Sequence, residues 1–166
     1  MDCIEGVILG AGLSRRARTL KMLLDLGGLT LIERCIMGMY DLCFRIIVVV
    51  GHEQEKISKI IEDYEKVYIV QNPNYLEGMF SSVKVGFGEV RGERFFFIPG
   101  DYPLIKEETY KRMLEANGDI VIPLFYGQRG HPLLIKSELI PSLIENKGYQ
   151  TLRDFVKDIG YTGVEV

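Results

Sequence analysis

The sequence predicts an α/β fold of three layers, Rossmann-like, with a mostly parallel sheet and an antiparallel edge. Two observations carry this. Short β-rich runs alternate with helical periods along nearly the whole chain, which implies right-handed crossovers between parallel strands. The runs Ile46 to Val50 and Phe95 to Ile98 are continuously apolar rather than alternating, as strands covered on both faces are. A third, the polar link "YGQRGH" at 126–131, joins two strands too closely for a crossover, hence the antiparallel edge.

The first strand is read over 4–9 and runs into a glycine turn, Gly10-Ala11-Gly12, followed by Arg15, Arg16, Arg18 and Lys21. Thr30 and Glu33 form a capping box, after which Leu31, Ile32, Cys35, Ile36 and Met39 trace an apolar helical stripe. Strands follow at 45–51 and 66–71, separated by a helix with Ile57, Ile60, Ile61 and Tyr64 on one side. Val83, Phe87 and Val90 mark a third helix, weakened by Gly86 and Gly88. The strand at 94–100 precedes a helix carrying Tyr110, Met113 and Leu114. Strands at 119–123 and 132–135, helices around Leu139–Ile144 and Leu152–Ile159, and a weak terminal strand "TGVEV" complete the pattern.

The chain has 166 residues, 47% hydrophobic and 26% charged, the profile of one soluble domain spanning 1–166. A net charge of −3, with basic residues clustered only in the first loop, excludes a general nucleic-acid binder. Cys3, Cys35 and Cys43 form no C-x-x-C pair and read as buried, reduced thiols, and His52 and His131 are too few for a zinc cage. No apolar run reaches the length of a membrane span and "MDCIEG" carries acids where a signal peptide carries bases, so a cytoplasmic protein is expected.

In a parallel sheet, ligands bind beyond the carboxyl ends of the strands. This selects the loops 10–21, 51–53, 71–82 and 99–104. A dinucleotide fingerprint fails at the first of them, because Arg15 occupies the third glycine position, and no P-loop motif is present. Glycines that admit close approach, backed by cations, suit a nucleoside triphosphate, although a solvated basic turn has the same composition. Asp101 follows an apolar strand, where a carboxylate can hold Mg²⁺, but Pro99, Gly100 and Pro103 equally favour a turn. Gly78-Met79-Phe80-Ser81-Ser82 leads into a helix, with serines able to cap it or to face a ligand. Tyr75 and Tyr102 lie in these loops and can stack on a base or pack in apolar surroundings.

Leu9-Gly10-Ala11-Gly12-x-Ser14-x-Arg16, with Lys21-x-Leu23-Leu24 after it, resembles the opening of the MobA-like nucleotidyltransferases, which attach cytidylyl or guanylyl groups to molybdopterin. "NPNYLEGMFSSV" (72–83) resembles the family's G-M-x-x-S segment, "PGDYPLI" (99–105) its G-D-x-P metal loop, and "GHPLLI" (130–135) the G-H-P segment of its cytidylyl branch. The resemblance implies a nucleotide-diphospho-sugar transferase type of fold and an Mg²⁺-dependent enzyme joining an NTP, CTP before GTP, to a phosphate-bearing acceptor such as molybdopterin. It implies Arg16, Lys21 and Asp101 as catalytic, with Asp101 holding the metal. Nucleotide contacts fall on Leu9, Gly10, Ala11, Gly12, Lys21, Asn72, Gly78, Met79 and Ser81, and an acceptor contact on His131. By itself His131 reads as a loop histidine. The chain departs from the family pattern at Ala17-Arg18, in place of Met-Gly, and at Leu20, in place of Pro. In "GYQTLR" (148–153) Tyr149 stands where an acid belongs, which leaves a second metal ligand unassigned. The alternatives are a sugar- or polyol-phosphate nucleotidyltransferase and a non-catalytic nucleotide-binding relative.

Overall fold

The structure, a computed structural model, describes residues 3–10, 21–51, 54–146 and 148–166. Strand β1 (Ile4–Leu9) is followed by a two-strand ribbon, β2 (Asp25–Leu26) and β3 (Leu29–Thr30), and by helix α1 (Leu31–Met39). Next come β4 (Arg45–Val50), α2 (Gln54–Ile61), β5 (Val67–Gln71), a 3₁₀ turn (Tyr75–Glu77) and α3 (Met79–Gly88). β6 (Arg94–Pro99) leads to α4 (Glu107–Glu115), then β7 (Ile120–Phe125), β8 (Gln128–Arg129) and β9 (Leu133–Lys136). A 3₁₀ turn (Ser137–Leu139), α5 (Ile140–Glu145), α6 (Leu152–Ile159) and β10 (Thr162–Glu165) follow.

The main sheet runs β10-β7-β9-β6-β1-β4-β5, with β8 paired to β7. β1, β4, β5 and β6 are mutually parallel, and β10 is parallel to β7. The antiparallel strand expected at an edge lies inside the sheet instead. β9 is inserted between β6 and β7 and runs against both. The reason is local: β7 turns back through Tyr126-Gly127, both at positive φ, and β8 and β9 return along one side of β7, broken by residues 130–132. β10 then takes the edge. The β2–β3 ribbon, not among the expected strands, turns on Gly27 and Gly28 at φ 69° and 94°, a two-glycine hairpin turn.

Alternate strand residues enter opposite cores, as the pleat requires. Ile8, Val48, Phe96 and Leu134 pack on one face with α1, α2 and α4 residues such as Ile36, Ile57 and Met113. Val7, Ile47, Phe97 and Leu133 pack on the other with Val83, Phe87, Leu143 and Phe155 of α3, α5 and α6. The Thr30–Glu33 capping box is present, and α6 carries a second one between Thr151 and Asp154. Gly86 does not weaken α3 so much as seat it. A Cβ there would stand 2.8 Å from both Val49 Cγ2 and Val7 Cγ1, so only glycine lets the helix lie this close to β1 and β4.

At the amino ends of β1 and β4 the buried Glu5 carboxylate accepts from Arg45 Nε at 2.7 Å and from the amides of Arg91 and Gly92. A buried charge so fully partnered holds the β4 start to the turn before β6. Cys35 and Cys43 are buried, but Cys3 is exposed, because it precedes the point where β1 enters the sheet. No helix among the described residues is long and apolar enough to cross a membrane.

Candidate active site

The chain leaves β1 toward β4 and β5 on one side, then returns to β6 on the other. The carboxyl ends of β1 and β6 therefore flank a topological switch point, where open α/β sheets bind ligands. Gly10 and Gly100 meet there. Gly100 N donates to Leu9 O at 2.9 Å and Gly10 N to Val49 O at 2.7 Å. A Cβ on Gly100 would stand 2.8 Å from Leu9 O, so this glycine is needed for the two loops to touch. Leu9 itself is buried, with its carbonyl engaged, so its side chain belongs to the core.

Asp101 comes directly after this contact. Its side chain is 18% exposed, and Lys21 Nζ lies 3.9 Å from its Oδ2. The cation and the carboxylate singled out for phosphate and metal thus lie side by side although 80 residues separate them in the chain. Beneath the loop, the Cys35 thiol donates to Gly100 O at 3.4 Å, and burial pushes its pKa up to about 12. Cys35 is a support for the loop that sequence reasoning placed only in the helix stripe. Ala11, Gly12 and Arg16 lie outside the described residues, as do Arg15, Ala17, Arg18, Leu20 and His52.

The 72–82 segment is braced internally. Asn72 is buried, its amide donating to Ser81 Oγ at 2.9 Å and Ser82 Oγ at 2.8 Å while its oxygen accepts from Asn74 N at 2.9 Å. Ser81 Oγ in turn donates to Gly78 O at 2.7 Å. Neither serine caps α3: the N-cap is Gly78, at φ 114°, and no side chain satisfies the first amides. Asn72 and Ser81 therefore hold the loop in shape, and Gly78 and Met79 are the members of this group that face open space, in the wall of a cleft.

That cleft has a volume of about 950 Å³ and brings together Gly78, Met79, Asp101, Tyr102 and His131. Its floor is apolar, with Phe97, Ile122, Leu133 and Val156. The His131 ring packs edge-to-face on Tyr102 with centroids 4.5 Å apart, and burial holds its pKa below the ordinary value, partly countered by the Asp101 charge. Its Nδ1 is buried and has no hydrogen-bond partner among the described residues. Tyr75 packs against the α3-side core instead of the cleft. Tyr149 donates to the Asp158 carboxylate and packs on Phe155, away from the cleft, while its neighbours Gln150, Thr151 and Arg153 line it. Gln128 and Arg129 were given no role from the sequence, and Gln150 and Arg153 were noted only as part of the "GYQTLR" segment.

Residues 6–163 match the MobA-like NTP transferase domain. The chain is 27% identical over its full length to the molybdenum cofactor cytidylyltransferase of Escherichia coli, covering 87% of that protein. It is also 27% identical to a probable molybdenum cofactor guanylyltransferase of Bacillus cytotoxicus, over 89% of this chain and 77% of the relative. In fold it is similar to Rv0371c of Mycobacterium tuberculosis, at a TM-score of 0.85 and 20% identity over 99% of this chain and 88% of the other. The latter protein has also been solved in complex with manganese, and that structure superimposes at a TM-score of 0.80 and 19% identity, over 99% of this chain and 88% of the other.

Proposed function

The chain belongs to the MobA-like NTP transferase family and is a nucleotidyltransferase; we propose that it joins CTP to a phosphate-bearing acceptor of the molybdopterin kind and releases pyrophosphate. The observation that carries this reading is the convergence of Lys21, Asp101, Gly78, Met79 and His131, from separate loops, at the switch point and its cleft. An acceptor phosphate oxygen attacks the α-phosphorus of the NTP. A new P–O bond forms, the bond to the bridging oxygen breaks, and its electron pair leaves with pyrophosphate. The attacking group is already an anion, so alignment and charge neutralisation supply the catalysis and no covalent enzyme intermediate forms.

In this reading Arg16 and Lys21 neutralise the triphosphate. Backbone at Leu9, Gly10, Ala11 and Gly12, with Gly78 and Met79, holds the nucleoside, and Asn72 and Ser81 keep the latter pair in place. His131, neutral and wedged beside Tyr102, faces the acceptor. The described residues contain no cluster of three or more metal-binding side chains. A carboxylate such as Asp101 suits Mg²⁺, which takes one or two carboxylates and completes its shell with substrate phosphates and water. Asp101 would be the protein ligand. A bound divalent ion offsets the charge that builds on the leaving pyrophosphate, and the manganese complex of the mycobacterial neighbour supports a divalent ion here. The free thiols support a reducing, cytoplasmic setting, and the molecule works as one domain over 1–166.

Calorimetric titration with CTP, GTP, ATP and UTP, with and without Mg²⁺, tests the proposal, followed by product analysis with phosphate acceptors. Tight, Mg²⁺-dependent binding of CTP and a cytidylylated product are expected. Preference for GTP would move the chain to the guanylyl branch, and turnover only of sugar or polyol phosphates to that class. Binding without turnover of any acceptor would leave a non-catalytic relative.

A further inference from the structure

We propose that Cys35 is a positioning residue for Asp101: its sulfur holds the backbone on both sides of that carboxylate and so sets how tightly the site takes a divalent ion. This rests on the transferase reading above. The Cys35 thiol donates to Gly100 O at 3.4 Å, and the Tyr102 amide donates back to the same sulfur. Gly100 O belongs to the peptide unit before the Asp101 Cα, and Tyr102 N to the unit after it. Turning either soft dihedral of Asp101 swings one of these planar units, so a single sulfur restrains both. The Gly100 amide is fixed from the other direction by Leu9 O at 2.9 Å. Asp101 is thereby tied to α1 and to β1 at once.

The shelf beneath the loop is one side of α1. Ile32, Cys35 and Gly38 recur at every third position, which stacks them along that side. A Cβ on Gly100 would stand 3.5 Å from Ile32 Cδ1, and one on Gly38 would stand 3.6 Å from Ile105 O. The helix therefore touches the 100–105 loop near both of its ends, with Cys35 between. A valine or leucine at 35 would continue the apolar stripe but could neither donate nor accept. A thiol does both in a small volume. Cys43 is the contrast: it is as deeply buried, but it follows α1 at the opposite, amino end of the sheet, where Phe44 N donates to Ile4 O.

Ion affinity depends on how much freedom a ligand gives up when the ion arrives. A carboxylate on restrained backbone loses less than one on a loose loop. Groups that orient a ligating side chain are for that reason worth about tenfold or more in affinity.

The full chain is titrated calorimetrically with CTP over a series of Mg²⁺ concentrations. C35A should raise the Mg²⁺ concentration for half-maximal enhancement of CTP binding by about tenfold, with Mg²⁺-free CTP affinity unchanged. C35S, which keeps a donor and an acceptor at shorter reach, should fall between. C43A opens the core at the other end of the sheet and should leave the Mg²⁺ response as it is. An unchanged response in C35A and C35S overturns the proposal, and so does a shift of equal size in C43A, which would mark general loosening of the core. Equal loss of CTP affinity with and without Mg²⁺ in C35A also overturns it, by assigning Cys35 to the nucleotide. Hydrogen exchange at the Tyr102 amide reads the clasp with no ligand added. It should quicken in C35A and not in C43A, and unchanged exchange in C35A overturns the clasp. That exchange difference in a chain that binds no CTP would uphold the clasp while removing the transferase reading.

Discussion

At the scale of single residues, the proposed reaction rests most on Asp101 and Lys21, which lie 3.9 Å apart. Asp101→Asn keeps the size and hydrogen bonding of the side chain while removing the charge that a divalent ion needs. Turnover should fall by a factor of about 100 or more, with an unchanged melting temperature and CTP binding that no longer responds to Mg²⁺. Full Mg²⁺-dependent activity in that variant would show that the metal is held elsewhere. Lys21→Ala removes a half-exposed cation beside Asp101. Titration should show CTP binding weakened about tenfold or more and cytidine binding unaffected. Equal losses for both ligands would assign Lys21 to the nucleoside rather than to the phosphates. Asn72 spends every polar atom of its amide on Ser81, Ser82 and Asn74, so what it contributes is the shape of the loop ending in Gly78.

At the scale of elements, α3 and β9 decide the architecture of the cleft. α3 begins at Met79 and lies against β1 and β4 through Gly86, which leaves its first turn at the cleft wall. Gly86→Ala raises helix propensity by about 1 kcal/mol, yet its methyl would collide with Val7 and Val49. Overpacking should prevail, with a net loss of about 1 to 3 kcal/mol in denaturant unfolding. A more stable variant would mean that α3 sits farther from the sheet. β9 has a different part. Its reversed direction brings residues 130–131 to the carboxyl end of the sheet beside β6, and this is how His131 reaches the same cleft as Asp101.

For the whole molecule, alkaline pH acts through groups the fold keeps protonated. Burial pushes the Cys35 and Cys43 thiols up to about 12, and burial with the Glu33 hydrogen bond does the same for the Tyr64 hydroxyl. An unfolded thiol loses its proton near pH 8.5, so above that the native state binds more protons than the unfolded one and stability declines with pH. The contribution is complete below about pH 8.5 and is lost progressively as pH climbs toward the folded values. The melting temperature should therefore drop between about pH 9 and 11, and less steeply in the C35A C43A variant. A flat profile would mean that the thiols ionise within the fold. At pH 8 a thiol reagent should label exposed Cys3 at once and the other two only on unfolding.

The sequence by itself determined the elements and the loops. Unbroken apolar runs marked the strands, Thr30 and Glu33 marked the start of α1, and the glycine and G-D-x-P motifs picked out two loops that meet at the switch point. Those signals are local, written in spacing and in turn chemistry. What only the tertiary structure decided was the order and direction of strands and the company each side chain keeps. A strand buried on both faces looks the same in either direction, so nothing in "PLLI" announced that β9 would enter the sheet reversed between β6 and β7. That Arg129, Arg153 and His131 line one cavity is likewise a product of the fold, although the G-H-P segment had already marked His131. Long-range packing set that arrangement, and its information is spread over residues far apart in the chain.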